Sequence, residues 1–362
     1  MNKKFLAVPV VTVWAALTVA AWFSPAQAVS QAERRSLAKC PAFTAEALIS
    51  GKFMTDFEAY SLDQFPLRDG FRRLKARFHD SVLGQKDNNG IYLSQGYAAK
   101  QEYPLNEQSV DHALKRFQFV YDTYLADSRV FMAVVPDKGY YLAEESGQLA
   151  MNYEKLFALV RQEMPWAEHI DLTDALGVED YYKTDTHWRQ EALFPAAEKI
   201  CQFLNVMAPR PEDYTQTALD RPFYGVYYGQ AALPMAAETM YLMESPLLED
   251  CVVYDYETGK TGAVYDQTKL DSMDLYDVYL SGARALLTIE NPNAATDREL
   301  IIFRDSFGSS MAPLLVSDYA KVTLVDIRYL RPELLDQFLD FHGQDVLFLY
   351  STLVLNSSGA IK

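Results

Sequence analysis

The sequence has only three cysteines, Cys40, Cys201 and Cys251, and no C-x-x-C pair. That spacing argues against a cysteine zinc site. Three thiols allow three different pairings and always leave one over, so they are expected to be buried or incidental. Histidine is equally scarce: His79, His112, His169, His187 and His342 are all there are, with neither H-x-x-x-H nor H-E-x-x-H among them. No metal site and no cofactor is therefore expected. Basic residues are in deficit, 33 Lys and Arg against 49 Asp and Glu, a formal charge of −16. A phosphate-binding surface needs a basic stripe, so the balance argues against nucleic acid as a partner. It argues equally against docking on an anionic membrane surface. No internal repeat and no low-complexity tract occurs, and beyond the N-terminus no segment is apolar enough to cross a membrane.

Hydrophobic residues make up 49% of the 362 positions and aromatics 13%. That is enough for a full core in one large or two modest domains. The chain opens "MNKKFLAVPVVTVWAALTVAAWFSPAQAVS". Lys3 and Lys4 form a basic start, Phe5 to Phe23 an apolar run, and Ala26-Gln27-Ala28 the small-x-small pattern of signal peptidase. Residues 1–28 are thus expected to be a signal peptide; an uncleaved anchor is the rival, because the run is almost long enough to span a bilayer. Either way the expected location is extracytoplasmic, secreted or tethered by this segment.

From Ser36 to Val82 the spacing is helical, with Phe71, Leu74, Phe78 and Val82 recurring at three and four residues. Arg68 in "FPLRD" is expected in a structural ion pair. Asn89-Gly90 marks a turn before a strand at Ile91–Leu93, and a helix is expected over Asp111–Tyr124. From Val130 strands and helices alternate. "VFMAVVP" is apolar throughout, as a strand buried on both faces must be. A helix over Tyr153–Gln162, a strand near His169–Leu172 and a helix beginning late because of Pro195 follow. Residues Pro209 to about Leu280 break the rhythm. They are rich in Tyr, Asp and Gly, and "CVVYDYETGKTGAVYD" is expected to form a hairpin within an insertion beside the sheet. Strands at Ala285–Ile289, Leu300–Phe303, Val322–Asp326 and Asp345–Tyr350 then resume, with helices at Ser309–Leu315 and Pro332–Phe341. Repeated strand–helix–strand units imply an α/β domain with a mostly parallel sheet.

Two stretches carry chemistry. In "IIFRDSFGSSM" a strand ends and a helix begins, which places Arg304, Asp305 and Ser306 at the carboxyl edge of the sheet, where open α/β sheets bind ligands. Ser306 would present its hydroxyl there, and the amides of Phe307 and Gly308 would form an oxyanion hole. The bland alternative is that Asp305 or Ser306 caps the helix. In "YYKTDTHW", Asp185 and His187 share a face if the segment is extended. Asp185 would then orient His187, and His187 would serve Ser306 as base. Trp188 would wall the pocket or stack on a sugar, with core packing as its alternative. Lys138 in "VVPDKGYYL" follows a strand to the same edge, as a substrate contact or a solvated lysine. Asp305 borders the site or caps. Metal chemistry through Asp185, His187 and Asp305 is the remaining alternative.

"YYKTDTHW" followed by "LIIFRDSFGSSMAPLL" resembles the DHHW family of exported bacterial proteins. More distantly it is similar to the alginate O-acetylation proteins, which carry D-x-H-W and a later serine on an SGNH-hydrolase-like fold. "FEAYSLDQFPLRDGF", "DNNGIYL", "DVYLSGARALLTIENPN", "VTLVDIRYL" and "DVLFLY" extend the likeness in patches from Phe57 to Tyr350. The resemblance implies a three-layer SGNH-hydrolase-like fold over residues 36–362, with the tyrosine-rich insertion at about 209–280. It implies Ser306 as nucleophile, His187 as base and Asp185 as orienter. There are two departures: Thr186 stands where the DHHW family has its first histidine, and Gly282-Ala283 where relatives have glycine-asparagine. The implied function is an exported carbohydrate O-acetyltransferase or acetylesterase, with a glycan substrate and an integral membrane acyltransferase as partner. The alternative is a catalytically inactive glycan-binding or assembly protein on the same scaffold.

Overall fold

Successive side chains of a strand point to opposite faces, so an apolar run without alternation needs cover on both sides. Arg129–Val135 (β1) is such a run, and every residue from Val130 on is buried. Phe131, Ala133 and Val135 enter one apolar cluster; Val130, Met132 and Val134 enter another. The computed structural model that shows this describes residues 3–85 and 87–362. Its chain divides into two units, Met1–Asn89 with Tyr228–Pro234, and Gly90–Tyr227 with Met235–Lys362.

The second unit is a mixed α/β fold built on an eight-stranded sheet. After β1 its strands are Glu168–Asp171 (β2), Val252–Asp255 (β3), Lys260–Gly262 (β4), Leu286–Glu290 (β5), Glu299–Arg304 (β6), Lys321–Val325 (β7) and Asp345–Ser351 (β8). Their order is β4-β3-β5-β7-β6-β8-β1-β2. From β7 to β2 all neighbours are parallel, in a register that sets Ile302 beside Leu347 and Leu347 beside Phe131. β5, β3 and β4 continue the sheet antiparallel. The hairpin expected beside the sheet therefore forms and lies within it, because the backbone of β3 finds its second set of partners on β5.

One face of the sheet is covered by Phe194–Leu204, which contributes Phe194, Ala197, Ile200, Cys201 and Leu204. That helix does not begin late. Pro195 sits in its first turn, where a missing N–H costs no hydrogen bond. The other face is covered by Glu107–Tyr124 and Tyr153–Glu163. Fully buried Phe117 lies 5.1 Å from the ring of Phe348 and 4.8 Å from that of Tyr350, and its truncation to alanine would cost about 3–5 kcal/mol. The helices expected at Ser309–Leu315 and Pro332–Phe341 are short. The first is one α turn, Gly308–Met311, tightening to a 3-10 turn at Ala312–Leu315, and the second is a 3-10 turn, Pro332–Gln337. The parallel strands β6, β8, β1 and β2 all end on one edge.

The first unit is helical. Lys3–Phe23 forms one helix, and its described side chains from Ala7 on are almost all exposed. Among the described residues no helix is long and apolar enough to cross a membrane. Lys52–Asp63 and Arg68–Ser81 follow. Arg68 makes its expected ion pair, 2.5 Å from Glu33. Asp63 meets Arg35 at 2.5 Å, and that guanidinium holds its carboxyl down at about 2. Cys40 is exposed, Cys201 and Cys251 in the second unit are buried, and all three are free.

Candidate active site

β6 ends at Arg304, and the chain turns through Asp305, Ser306 and Phe307 into Gly308–Met311. Asp305 holds the turn. Its carboxylate accepts from Phe307 N at 3.0 Å and from Ser351 N at 2.8 Å, and its carbonyl accepts from Gly308 N at 3.1 Å. The turn is thereby tied to the end of β8. Only glycine fits at 308, since an added Cβ would lie 2.7 Å from Cβ of Arg304. Ser306 is left half-buried at the carboxyl edge.

The acid and the base come from a loop more than a hundred residues earlier. Tyr181 and Trp188 bridge antiparallel, and Tyr182 N donates to His187 O at 3.0 Å, so the segment is a narrow loop with extended arms. Glu238 clamps it, accepting from Lys183 N and Thr184 N at 2.7 Å each and from Thr184 Oγ1 at 2.6 Å. Asp185 is fully buried. Its Oδ2 accepts from Val226 N at 2.7 Å, and Oδ1 lies 2.6 Å from His187 Nδ1. Nδ1 facing a carboxylate carries the proton, which leaves the lone pair of Nε2 to accept from Ser306 Oγ at 2.7 Å. The i, i+2 spacing thus places both side chains on one side of an extended loop, and the three expected residues form one hydrogen-bonded chain.

Tyr276 lies flat against the His187 ring, with centroids 3.9 Å apart and planes 9° from parallel. Its hydroxyl bonds Ser310 Oγ at 2.6 Å, and Trp188 Nε1 donates to the same oxygen at 2.8 Å. Trp188 is fully buried and packs edge-on against Phe307. It supports the loop from behind and shows no face for a sugar to stack on, so of the two roles expected for it core packing is the one observed. Burial in this apolar setting pushes the Tyr276 hydroxyl far above its ordinary range, so it stays neutral.

Three expectations are corrected. The Phe307 and Gly308 amides are both taken by Asp305, so neither is free for an oxyanion. Among the described residues the Ser306 amide has no acceptor, and it is the donor that remains at the turn. Asp305 itself is fully buried and caps the turn rather than bordering a substrate. Lys138 is neither solvated nor open to a substrate: it is 2% exposed and donates to Tyr182 O at 2.7 Å and Lys183 O at 3.3 Å. Its Nζ also lies 5.2 Å from the Tyr227 ring. Burial pulls its ammonium down to about 7, against the opposing attraction of Asp185, Glu238 and Asp137. Tyr276, Ser310, Glu238 and the Val226 amide have no motif that announces them, and only the fold brings them to the loop.

No family model matches the chain, and no curated protein matches it. Among solved structures it is similar to a DHHW family protein from Eubacterium siraeum, at 19% identity and TM-score 0.61, over 76% of this chain and 94% of that one. It is similar also to Bacillus cereus PatB1 solved with a sulfonyl adduct, at 16% identity and TM-score 0.57, over 73% and 94%. The O-acetyltransferase domain of Pseudomonas putida AlgJ matches at 15% identity and TM-score 0.43, over 74% and 92%. The chain therefore shares its fold with PatB1 and with the DHHW family protein, the latter being the relation that the D-x-H-W loop and the later serine imply.

Proposed function

We propose that this protein is an exported carbohydrate O-acetyltransferase or acetylesterase, acting on a cell-envelope or extracellular glycan through an acyl-serine at Ser306. The observation that carries the reading is the unbroken chain from Asp185 through His187 to Ser306, with contacts of 2.6 and 2.7 Å. His187 Nε2 takes the hydroxyl proton as Ser306 Oγ attacks the acetyl carbonyl. The tetrahedral oxyanion forms beside the Ser306 amide, a type of contact commonly worth about 3–4 kcal/mol. The intermediate collapses, the donor oxygen leaves with the proton from His187, and acetyl-Ser306 remains. Water or a sugar hydroxyl, deprotonated by His187, then releases the acetyl group. Asp185 keeps the ring in the tautomer both steps need and offsets its positive charge.

The acetyl group is inferred from the resemblance of "YYKTDTHW" and "LIIFRDSFGSSMAPLL" to the alginate O-acetylation proteins. The same resemblance supports an integral membrane acyltransferase as acetyl supplier. The N-terminal signal-like segment supports an extracytoplasmic setting, and the apolar clusters on both faces of the sheet support a three-layer SGNH-hydrolase-like scaffold. The test is release of p-nitrophenol from p-nitrophenyl acetate. The native chain is expected to exceed Ser306→Ala by at least about a hundredfold. Equal, background rates for both would favour the inactive glycan-binding alternative.

A further inference from the structure

The helix Arg68–Ser81 buries only Ala76. With about 3.6 residues per turn, Leu67, Phe71, Leu74, Phe78 and Val82 align in one stripe. All five are exposed, Leu67 at 76% and Phe71, the least, at 44%. A helix on a globular unit ordinarily turns such a stripe inward; this one turns it outward. The opposite side holds Ala76 and Arg72, whose guanidinium meets Glu33 at 3.2 Å and donates to Gly229 O at 2.9 Å. Lys75 flanks the stripe on one side and Arg77 on the other, while Arg73 lies farther round, toward Asp80. All three are exposed, and none is paired with a carboxylate among the described residues. The helix carries five Lys and Arg against two Asp, in a chain of formal charge −16.

A groove of about 790 Å³ runs beside it, with Leu62, Phe65 and Phe71 as apolar wall, Arg68 and Arg72 on its rim paired with Glu33, and Lys75 beside them without a carboxylate. The apolar helix Lys3–Phe23, exposed at almost every position from Ala7 on, ends nearby. Gln27 N donates to Gln64 Oε1 at 2.8 Å and Gln64 Nε2 donates back to Gln27 O at 2.9 Å, four residues ahead of Arg68. The outward stripe of Arg68–Ser81 is thus bordered by unpaired cations. That is the pattern of a helix lying in a membrane interface, with apolar side chains in the acyl boundary and basic ones at the phosphates.

We propose that Arg68–Ser81 docks this protein on a bilayer surface rich in anionic lipid. The acidic net charge does not prevent it. Charges farther than about 8 Å from the headgroups are screened at physiological salt, whereas Lys75 and Arg77 flank the stripe that would enter them. The docking is independent of the Ser306 chemistry.

The test uses the full chain with Leu74→Cys in a Cys40→Ser background, labelled with a polarity-sensitive fluorophore; Cys201 and Cys251 are buried and escape labelling. Lys260→Cys, on the exposed edge of β4, serves as reference. Vesicles of phosphatidylcholine with phosphatidylglycerol are expected to shift the emission at position 74 to the blue, reversibly with salt, and to leave position 260 unchanged. Pure phosphatidylcholine is expected to bind about tenfold more weakly or worse, and Lys75→Glu with Arg77→Glu to remove that preference. An unchanged signal at 74 on vesicle-bound protein would overturn the proposal, as would an equal response to both lipids. A shift on concentrating the protein without lipid would assign the stripe to a second copy instead. If the charge variant fails to fold, the comparison of the two lipids on the native charges decides.

Discussion

His187 and Tyr276 are stacked, their rings 3.9 Å apart at the centroids and their planes 9° from parallel. The phenol fixes the plane in which the imidazole must lie for Nδ1 to reach Asp185 and Nε2 to reach Ser306. Its own orientation is set by the hydroxyl bond to Ser310 at 2.6 Å. Tyr276→Phe keeps the platform and should leave kcat/KM within about threefold. Tyr276→Ala releases the ring, and misplacement of this kind costs on the order of a hundredfold, mainly in kcat. Steady-state kinetics with an acetyl ester checks both.

Asp185 leaves no room for a side chain at Gly225. A Cβ there would lie 2.3 Å from both Cα and Cβ of Asp185, far inside contact distance. Gly225→Ala should therefore destabilise the fold by about 1–3 kcal/mol, as overpacking does. It should also displace the acid from His187, with loss of activity in the fraction that stays folded. Urea unfolding gives the first quantity and the ester assay the second.

Lys138 makes stability depend on pH. Its folded-state pKa, about 7, lies below the ordinary lysine value, so between the two the unfolded chain holds more protons. The burial penalty is complete below about pH 7 and is relieved as pH rises beyond it. The urea midpoint of the native chain should rise from pH 7 to pH 9 relative to Lys138→Met, which has no such proton to lose. Parallel midpoints across that range would contradict the assignment.

Asp305 divides structure from chemistry. Its carboxylate serves two buried amides, those of Phe307 and Ser351. Asp305→Ala leaves both without a partner and should cost about 1–3 kcal/mol for each. Asp305→Asn keeps one acceptor oxygen and should lose less. A stable Asp305→Ala chain that has lost activity would instead make the aspartate a substrate contact.

The strands and the Asp185–His187 pair are legible in the sequence because each rests on local order. "VFMAVVP" is apolar at every position, and Asp185 and His187 have the i, i+2 spacing that an extended loop turns to one side. Trp188, Lys138 and the Phe307 amide share one reason for resisting a reading from sequence: residue type shows what each can bind, whereas folding supplies each with a partner. Ser310 takes the indole N–H, two main-chain carbonyls take the ammonium, and Asp305 takes the amide. Tyr276 lies 89 residues from His187, and no spacing rule links them. The outward stripe of Arg68–Ser81 was visible as a helical period, but period alone does not say which way the apolar side faces.

The most direct measurement is the chemical state of Ser306 during turnover. After brief incubation with an activated acetyl ester and quenching in acid, peptide mass spectrometry should find one acetyl group on Ser306 in the native chain. It should find almost none there in His187→Ala. An unmodified Ser306 while ester is being consumed, or equal acetylation without His187, would contradict the account.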